Sequence, residues 1–110
     1  MVQLIDRFTS DRFFQVWAYS VSHSQLLLRS VKADGLHSRI DVLFEAVDLM
    51  ELPTSFTGLV IARDRGGFTL SGSGWAGRVV AGACYWCEDE GEYYDPSPFA
   101  DSFGPALKPN

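Results

Sequence analysis

The sequence predicts a mainly β fold of about six antiparallel strands, arranged as a sandwich, a rolled sheet or a partial barrel. Three observations carry this reading. Aromatic residues are abundant, with eight Phe, four Tyr and three Trp, and they favour strands. Apolar and polar residues alternate with period two in several short runs. Turn residues separate those runs at short intervals. The chain's 110 residues suffice for one hydrophobic core and not for two. Residues 1–95 therefore read as a single β domain, and residues 96–110 as an extended C-terminal tail.

The elements follow in order. Residues 13–21, Phe-Phe-Gln-Val-Trp-Ala-Tyr-Ser-Val, are β-branched and aromatic and too few for a typical helix. Ser22-His23-Ser24 is a turn, and residues 25–32 complete a β-hairpin. Strict alternation puts Phe14, Val16 and Ala18 on one face of the first strand and Phe13, Trp17 and Tyr19 on the other. Ala33-Asp34-Gly35 is the next turn. From 38 to 46, Ile40, Val42, Phe44 and Ala46 face one way and Arg39, Asp41, Leu43 and Glu45 the other, as in a half-buried strand. Leu43, Ala46, Val47 and Met50 also fit helical spacing, with Pro53 as a stop, so one helical turn is expected before that proline. Residues 58–63 and 68–71 are short strands around the turn Asp64-Arg65-Gly66-Gly67. Gly72 to Gly77 is a loop, and residues 78–87 are a last long strand in which Gly82 marks a bulge or a close backbone approach. Four of the five prolines, Pro96, Pro98, Pro105 and Pro109, then define the tail, with Phe99 and Phe103 able to pin it to the body.

Composition excludes several classes of function. No run approaches the roughly 20 apolar residues of a membrane span, and the N-terminus lacks the pattern of a secretory signal. Two cysteines make no disulfide framework, which points to a reducing, cytoplasmic setting. The net charge of −5 is uneven: residues 1–40 hold five bases and three acids, the remainder four bases and eleven acids. Nucleic-acid binding needs Lys and Arg to displace counterions and is disfavoured. A basic protein partner is compatible with this balance.

The motifs that suggest chemistry lack the context it requires. Gly72-Ser73-Gly74-Trp75-Ala76-Gly77 has the form G-x-G-x-x-G, but a strand follows where a pyrophosphate site needs a helix. Cys84-Tyr85-Trp86-Cys87 has the form C-x-x-C, yet the acids after it would raise a thiol pKa, and residues three apart on a strand face opposite ways. Two inert thiols are expected, not a zinc site shared with His23 and His37, whose spacing is unlike a finger. His23 and His37 read as turn residues. Asp41 and Glu45 would stand about 13 Å apart along a strand, beyond the roughly 5–9.5 Å of a carboxylate pair in glycosidases. They are expected to pair across the sheet with Arg29 or Arg39, or to face water. No catalytic residue, metal or cofactor is assigned.

Binding features remain. Trp17 and Tyr19, with Phe13, form either core or an exposed aromatic stripe. The acidic run Glu88, Asp89, Glu90 and Glu92, followed by Tyr93 and Tyr94, is suited to a basic surface, combining charge steering with aromatic contact. Small, acidic, aromatic-rich β proteins of this bacterial type include antitoxin and immunity proteins, a likeness of class and not of motif. The expected function is a noncatalytic protein-binding module, inhibitor-like, with no role for nucleic acid or membrane. Self-association into a homo-oligomer is a further expectation. The alternative is a small-molecule binder whose pocket is lined by Trp17, Tyr19 and Trp75. A site assembled across strands from Arg29, Arg39, Asp41 and His37 is left open.

Overall fold

The computed structural model describes residues 2–33 and 35–99. Among them are nine strands and no helix: β1 (Val2–Leu4), β2 (Arg7–Ser20), β3 (Gln25–Ser30), β4 (Arg39–Glu45), β5 (Leu49–Glu51), β6 (Ser55–Asp64), β7 (Gly67–Gly72), β8 (Trp75–Val80) and β9 (Ala83–Asp89). They form one antiparallel sheet in the order β1-β9-β4-β3-β2-β6-β7-β8-β5, which does not close.

The shape follows from β2. Its residues 7–15 pair with β6 and its residues 15–20 pair with β3, so one 14-residue strand serves both halves of the sheet. The register slips between Ser10 and Phe13 against β6, and again between Val16 and Ala18 against β3. Such bulges bend a strand and increase its twist. The sheet therefore curls. Phe44 on β4 and Phe68 on β7 lie four strands apart in the sheet order, yet their ring centroids are 5.6 Å apart; in a flat sheet the strands would be about 19 Å apart. Phe8 on β2 similarly meets Trp86 on β9 at 5.3 Å.

The curled sheet encloses the main core. Leu26, Leu28, Val42, Phe44 and Cys84 from one half pack against Leu59, Ile61, Phe68, Leu70 and Val79 from the other. The outer face of β3, β4 and β9 carries a second apolar cluster, in which Leu27, Leu43 and Cys87 lie beneath Phe99 of the C-terminal segment. This cover explains why β3 is buried at every position and β4 at all but its last.

Several expectations are corrected. Nine strands replace six, because β1 and β5 are three-residue edges too short to show alternation. Residues 7–12 also belong to β2 despite their charges. No helical turn precedes Pro53: β4 ends at Glu45, Ala46 takes a positive φ of 55°, and residues 49–51 form β5. Gly72 to Gly77 is a hairpin, not a loop, turning on Ser73 and Gly74, whose φ of 74° is in the left-handed region that glycine tolerates. Residues 78–87 are not one strand. The chain breaks at Ala81-Gly82, where Gly82 N–H donates to Glu45 O at 2.9 Å, so of the two readings of Gly82 the close backbone approach holds and the bulge does not. The bulge at Trp17 overturns strict alternation in β2: Trp17 and Ala18 both join the outer cluster, and Tyr19 pairs with Leu26 on the core side. Within the tail, residues 100–110, including Phe103, lie outside the described residues.

Cys84 lies in the main core and Cys87 in the outer cluster, so the two thiols point to opposite faces. Burial pushes the Cys84 thiol well above its ordinary value, against small opposing effects of Arg63 and a Tyr85 backbone hydrogen bond. Neither thiol is expected to react with an aromatic disulfide reagent in the folded protein, and both should react once it is unfolded in denaturant. A thiol count in the two states checks this.

Candidate functional site

The outer face of β9, β4 and β3 carries a row of charge beside its apolar row. Cross-strand register places Leu4, Tyr85, Leu43, Leu27 and Ala18 in one line over five strands. The next line reads Val2, Cys87, Asp41, Arg29 and Gln15, and beyond it Asp89 stands opposite Arg39. A buried guanidinium group in such a place needs a partner for its charge, and each of the two is paired with a carboxylate.

Arg29, with its side chain fully buried, makes a bidentate pair with Asp41: Nε donates to Oδ1 at 2.7 Å and Nη2 to Oδ2 at 3.0 Å. Trp17 covers it, with the guanidinium carbon 4.9 Å from the ring centroid, a cation–π contact. Arg39 makes the equivalent fork with Asp89, at 2.9 and 2.7 Å. Burial would lower the Arg39 pKa; the hydrogen bond to Asp89 and the charges of Asp41, Asp89 and Asp95 raise it instead. Burial would raise the Asp89 pKa; hydrogen bonds from Arg39 and Gly91 N–H, and the charges of Arg39 and Arg29, bring it below its ordinary value.

Other donors of both guanidinium groups reach the segment after β9. Arg29 Nη1 donates to Tyr93 O at 2.8 Å and more weakly to Asp95 O at 3.4 Å. Arg39 Nη1 donates to Glu92 O and Asp95 O at 3.0 and 2.9 Å, and its Nη2 to Pro96 O at 3.0 Å. Ser97 Oγ donates to Asp41 Oδ2 at 2.7 Å, and Phe99 is fully buried on the apolar row. Gly91 permits the crossing: a Cβ there would stand 2.5 Å from Arg39 Nη2. Residues 91–99 thus form a strap held by two clasped arginines.

Within the strap, residues 92–95 make a turn in which Asp95 N–H donates to Glu92 O and Glu92 N–H to Asp95 Oδ2. Tyr93 and Tyr94 occupy its tip, each 58% exposed, with their rings edge to face at 5.1 Å. Sequence reasoning placed these two tyrosines among the binding candidates, and the structure puts them side by side in the open. It distributes the acidic run differently. Asp89 is taken up by Arg39, Glu88 pairs with Arg12 at 3.3 Å and also accepts from Ser38, and Glu92 meets Lys32 at 3.5 Å. Glu90 is exposed and makes no ion pair among the described residues.

Of the four residues considered for a cross-strand site, Arg29, Arg39 and Asp41 come together, and Asp41 does pair with Arg29 across the sheet. His37 stays exposed on the connection before β4. The strap's carbonyls and Ser97 were missed; the signal available was Arg29 in the leucine-rich β3 and Arg39 and Asp41 at alternate positions in β4. Trp17, Tyr19 and Trp75 do not converge. Trp17 covers Arg29, Tyr19 is on the core side and 39% exposed, and Trp75 packs on Phe56 at 4.3 Å. A shallow cleft of about 390 Å³ lies elsewhere, lined by Glu51, Leu52, Pro53, Ala76, Gly77 and Arg78. His23 Nδ1 lies 3.2 Å from Ser20 Oγ and 3.0 Å from Ser22 Oγ, all within one hairpin turn. Among the described residues no three His, Cys, Asp or Glu side chains are grouped to hold a metal ion, and no helix is long and apolar enough to cross a membrane.

No known family matches the chain, and neither a curated protein nor a solved structure is similar enough to count as a match.

Proposed function

We propose that this domain is a noncatalytic protein-binding module, inhibitor-like in action, that presents the turn at residues 92–95 to a basic protein partner in a reducing, cytoplasmic setting. The rolled sheet is its rigid scaffold. One observation carries the reading: two exposed tyrosines sit on an irregular segment whose main chain is held by two buried arginines. An exposed turn ordinarily loses conformational entropy when it binds. Here that cost is met in folding, because four carbonyls of the turn and its exit are already fixed. Tyrosine supplies large contact area with few rotatable bonds and is enriched at binding hot spots. The surrounding carboxylates support a basic partner. Glu90 is open, and the exposed pairs of Glu88 with Arg12 and Glu92 with Lys32 are the kind that contribute little to stability and can exchange partners.

The test is capture from a lysate of the source organism, read by mass spectrometry, with three baits. Unmodified protein is compared with Tyr93→Ala/Tyr94→Ala and with Glu88→Gln/Glu90→Gln/Glu92→Gln; Asp89 is left intact because it holds Arg39. A basic protein is expected with the unmodified bait alone, and its capture should weaken as salt rises. Equal capture by the tyrosine variant would remove the turn as the interface.

A further inference from the structure

The two edges of the sheet differ. The β5 edge is flanked by Asp48 and Pro53 and contains Glu51, the charges and proline that discourage further strand pairing. Within β1 itself, Val2-Gln3-Leu4, there is no charge and no proline, Asp6 coming two residues after it, and Val2 is 44% and Leu4 63% exposed.

Register decides which backbone groups of β1 remain open. Ile5 N–H donates to Cys84 O at 2.8 Å, and Gln3 stands opposite Trp86 two positions along. In an antiparallel ladder, hydrogen-bonded and non-hydrogen-bonded pairs alternate. Gln3 therefore exchanges its hydrogen bonds with Trp86, whereas Val2 and Leu4 oppose Cys87 and Tyr85 in non-hydrogen-bonded pairs. The N–H and C=O groups of Val2 and Leu4 point off the sheet, away from β9.

The geometry points to a second copy of this chain as the occupant of that edge, with β1 pairing antiparallel to β1 about a two-fold axis through Gln3. Under this operation Val2 meets Leu4 of the partner subunit in a hydrogen-bonded pair, and Leu4 meets Val2 of the partner subunit in the other. Gln3 faces Gln3 of the partner subunit in the non-hydrogen-bonded pair between them. All four outward groups of each strand find partners. The exposed apolar side chains come beside each other on one face, and the glutamines on the opposite face. An edge of apolar, amide, apolar residues is its own complement under a two-fold axis, which is the requirement of an isologous contact. It offers no charge by which to select a different protein. The contact is short, so the dimer is weak and concentration-dependent. Each copy carries a net charge of −5, so screening strengthens it. This salt response is opposite in sign to that of the basic partner at the tyrosine turn, and the two readings stand or fall separately.

Gln3→Cys tests the register directly. A non-hydrogen-bonded antiparallel pair sets its Cα atoms about 4.5 Å apart, inside the roughly 4.4–6.8 Å window of a disulfide. Both native cysteines are buried, so the unmodified chain gives the background. Under mild oxidation Gln3→Cys should become a disulfide dimer of twice the 12.2 kDa chain mass, at least tenfold faster than a Ser73→Cys control on the exposed β7–β8 turn, and faster still in added salt. Adding Val2→Pro removes one outward N–H without touching the pairing to β9, and adding Leu4→Lys sets a charge in the contact. Either should return the rate to that of the control. Cross-linking at the control rate, or rates unmoved by Val2→Pro and Leu4→Lys, would overturn the proposal.

Discussion

Asp41→Ala is expected to destabilise the domain by about 3–5 kcal/mol, the usual loss when one member of a buried ion pair is removed. Arg29 would be left fully buried with its Nε and Nη2 donors empty, and Ser97 Oγ would lose its acceptor. The loss belongs to the stranded charge more than to the pair itself. Arg29→Met/Asp41→Leu should therefore recover most of it, since it removes both charges and keeps the volume filled. Recovery stops short of the unmodified protein because Tyr93 O loses its donor. Denaturant midpoints of the three proteins at one pH check this. A double variant no more stable than Asp41→Ala would show that the pair contributes something apolar contact cannot replace.

Arg39→Met is expected to act differently, releasing the strap while the sheet stands. Arg39 spends its donors on Asp89 and on three carbonyls of residues 92–96. Asp89 is about a third exposed, so it can be rehydrated when its partner goes, and no buried charge is stranded. Amide exchange should accelerate at least tenfold over residues 91–97 and stay protected in β3 and β4. Acid should do the same to the unmodified protein. The Asp89 carboxyl is held below its ordinary value of 3.8 in the folded state, so it is ionised and its stabilising contribution is complete above that value. That contribution falls as pH drops from there through the lower folded value. Strap protection should be constant from neutral pH down to the ordinary carboxylate range and lost below it. In Asp89→Asn it should be reduced already at pH 7. Exchange measured against pH in both proteins decides the matter.

The predominance of strands was legible, and so was the division of β4 between two faces. Ile40, Val42 and Phe44 do face the main core, and Arg39, Asp41 and Leu43 do face away from it. What alternation cannot reveal is the cover on the second face. A charged residue that alternates with leucine looks solvated until a distant segment is laid over it, and Ser97 and Phe99 are far from Arg29 in sequence. The placement of Trp17 and Tyr19 on one face of β2 failed for a local reason, since one extra residue at Trp17 shifts every later side chain to the other face. The candidate site was half visible: Tyr93 and Tyr94 could be picked out from their acidic setting, but the fate of Asp89 depended on a pairing between strands fifty residues apart.

The clasp has a consequence for how the protein can change. Arg29 and Arg39 grip only main-chain oxygens of the turn, which every amino acid carries. Substitution at positions 93 and 94 therefore removes none of the clasp's own hydrogen-bond acceptors. If the proposed binding role holds, a lineage could alter what its members recognise by drift at two residues, and an engineer could randomise the same two in a display library without redesigning the body that carries them.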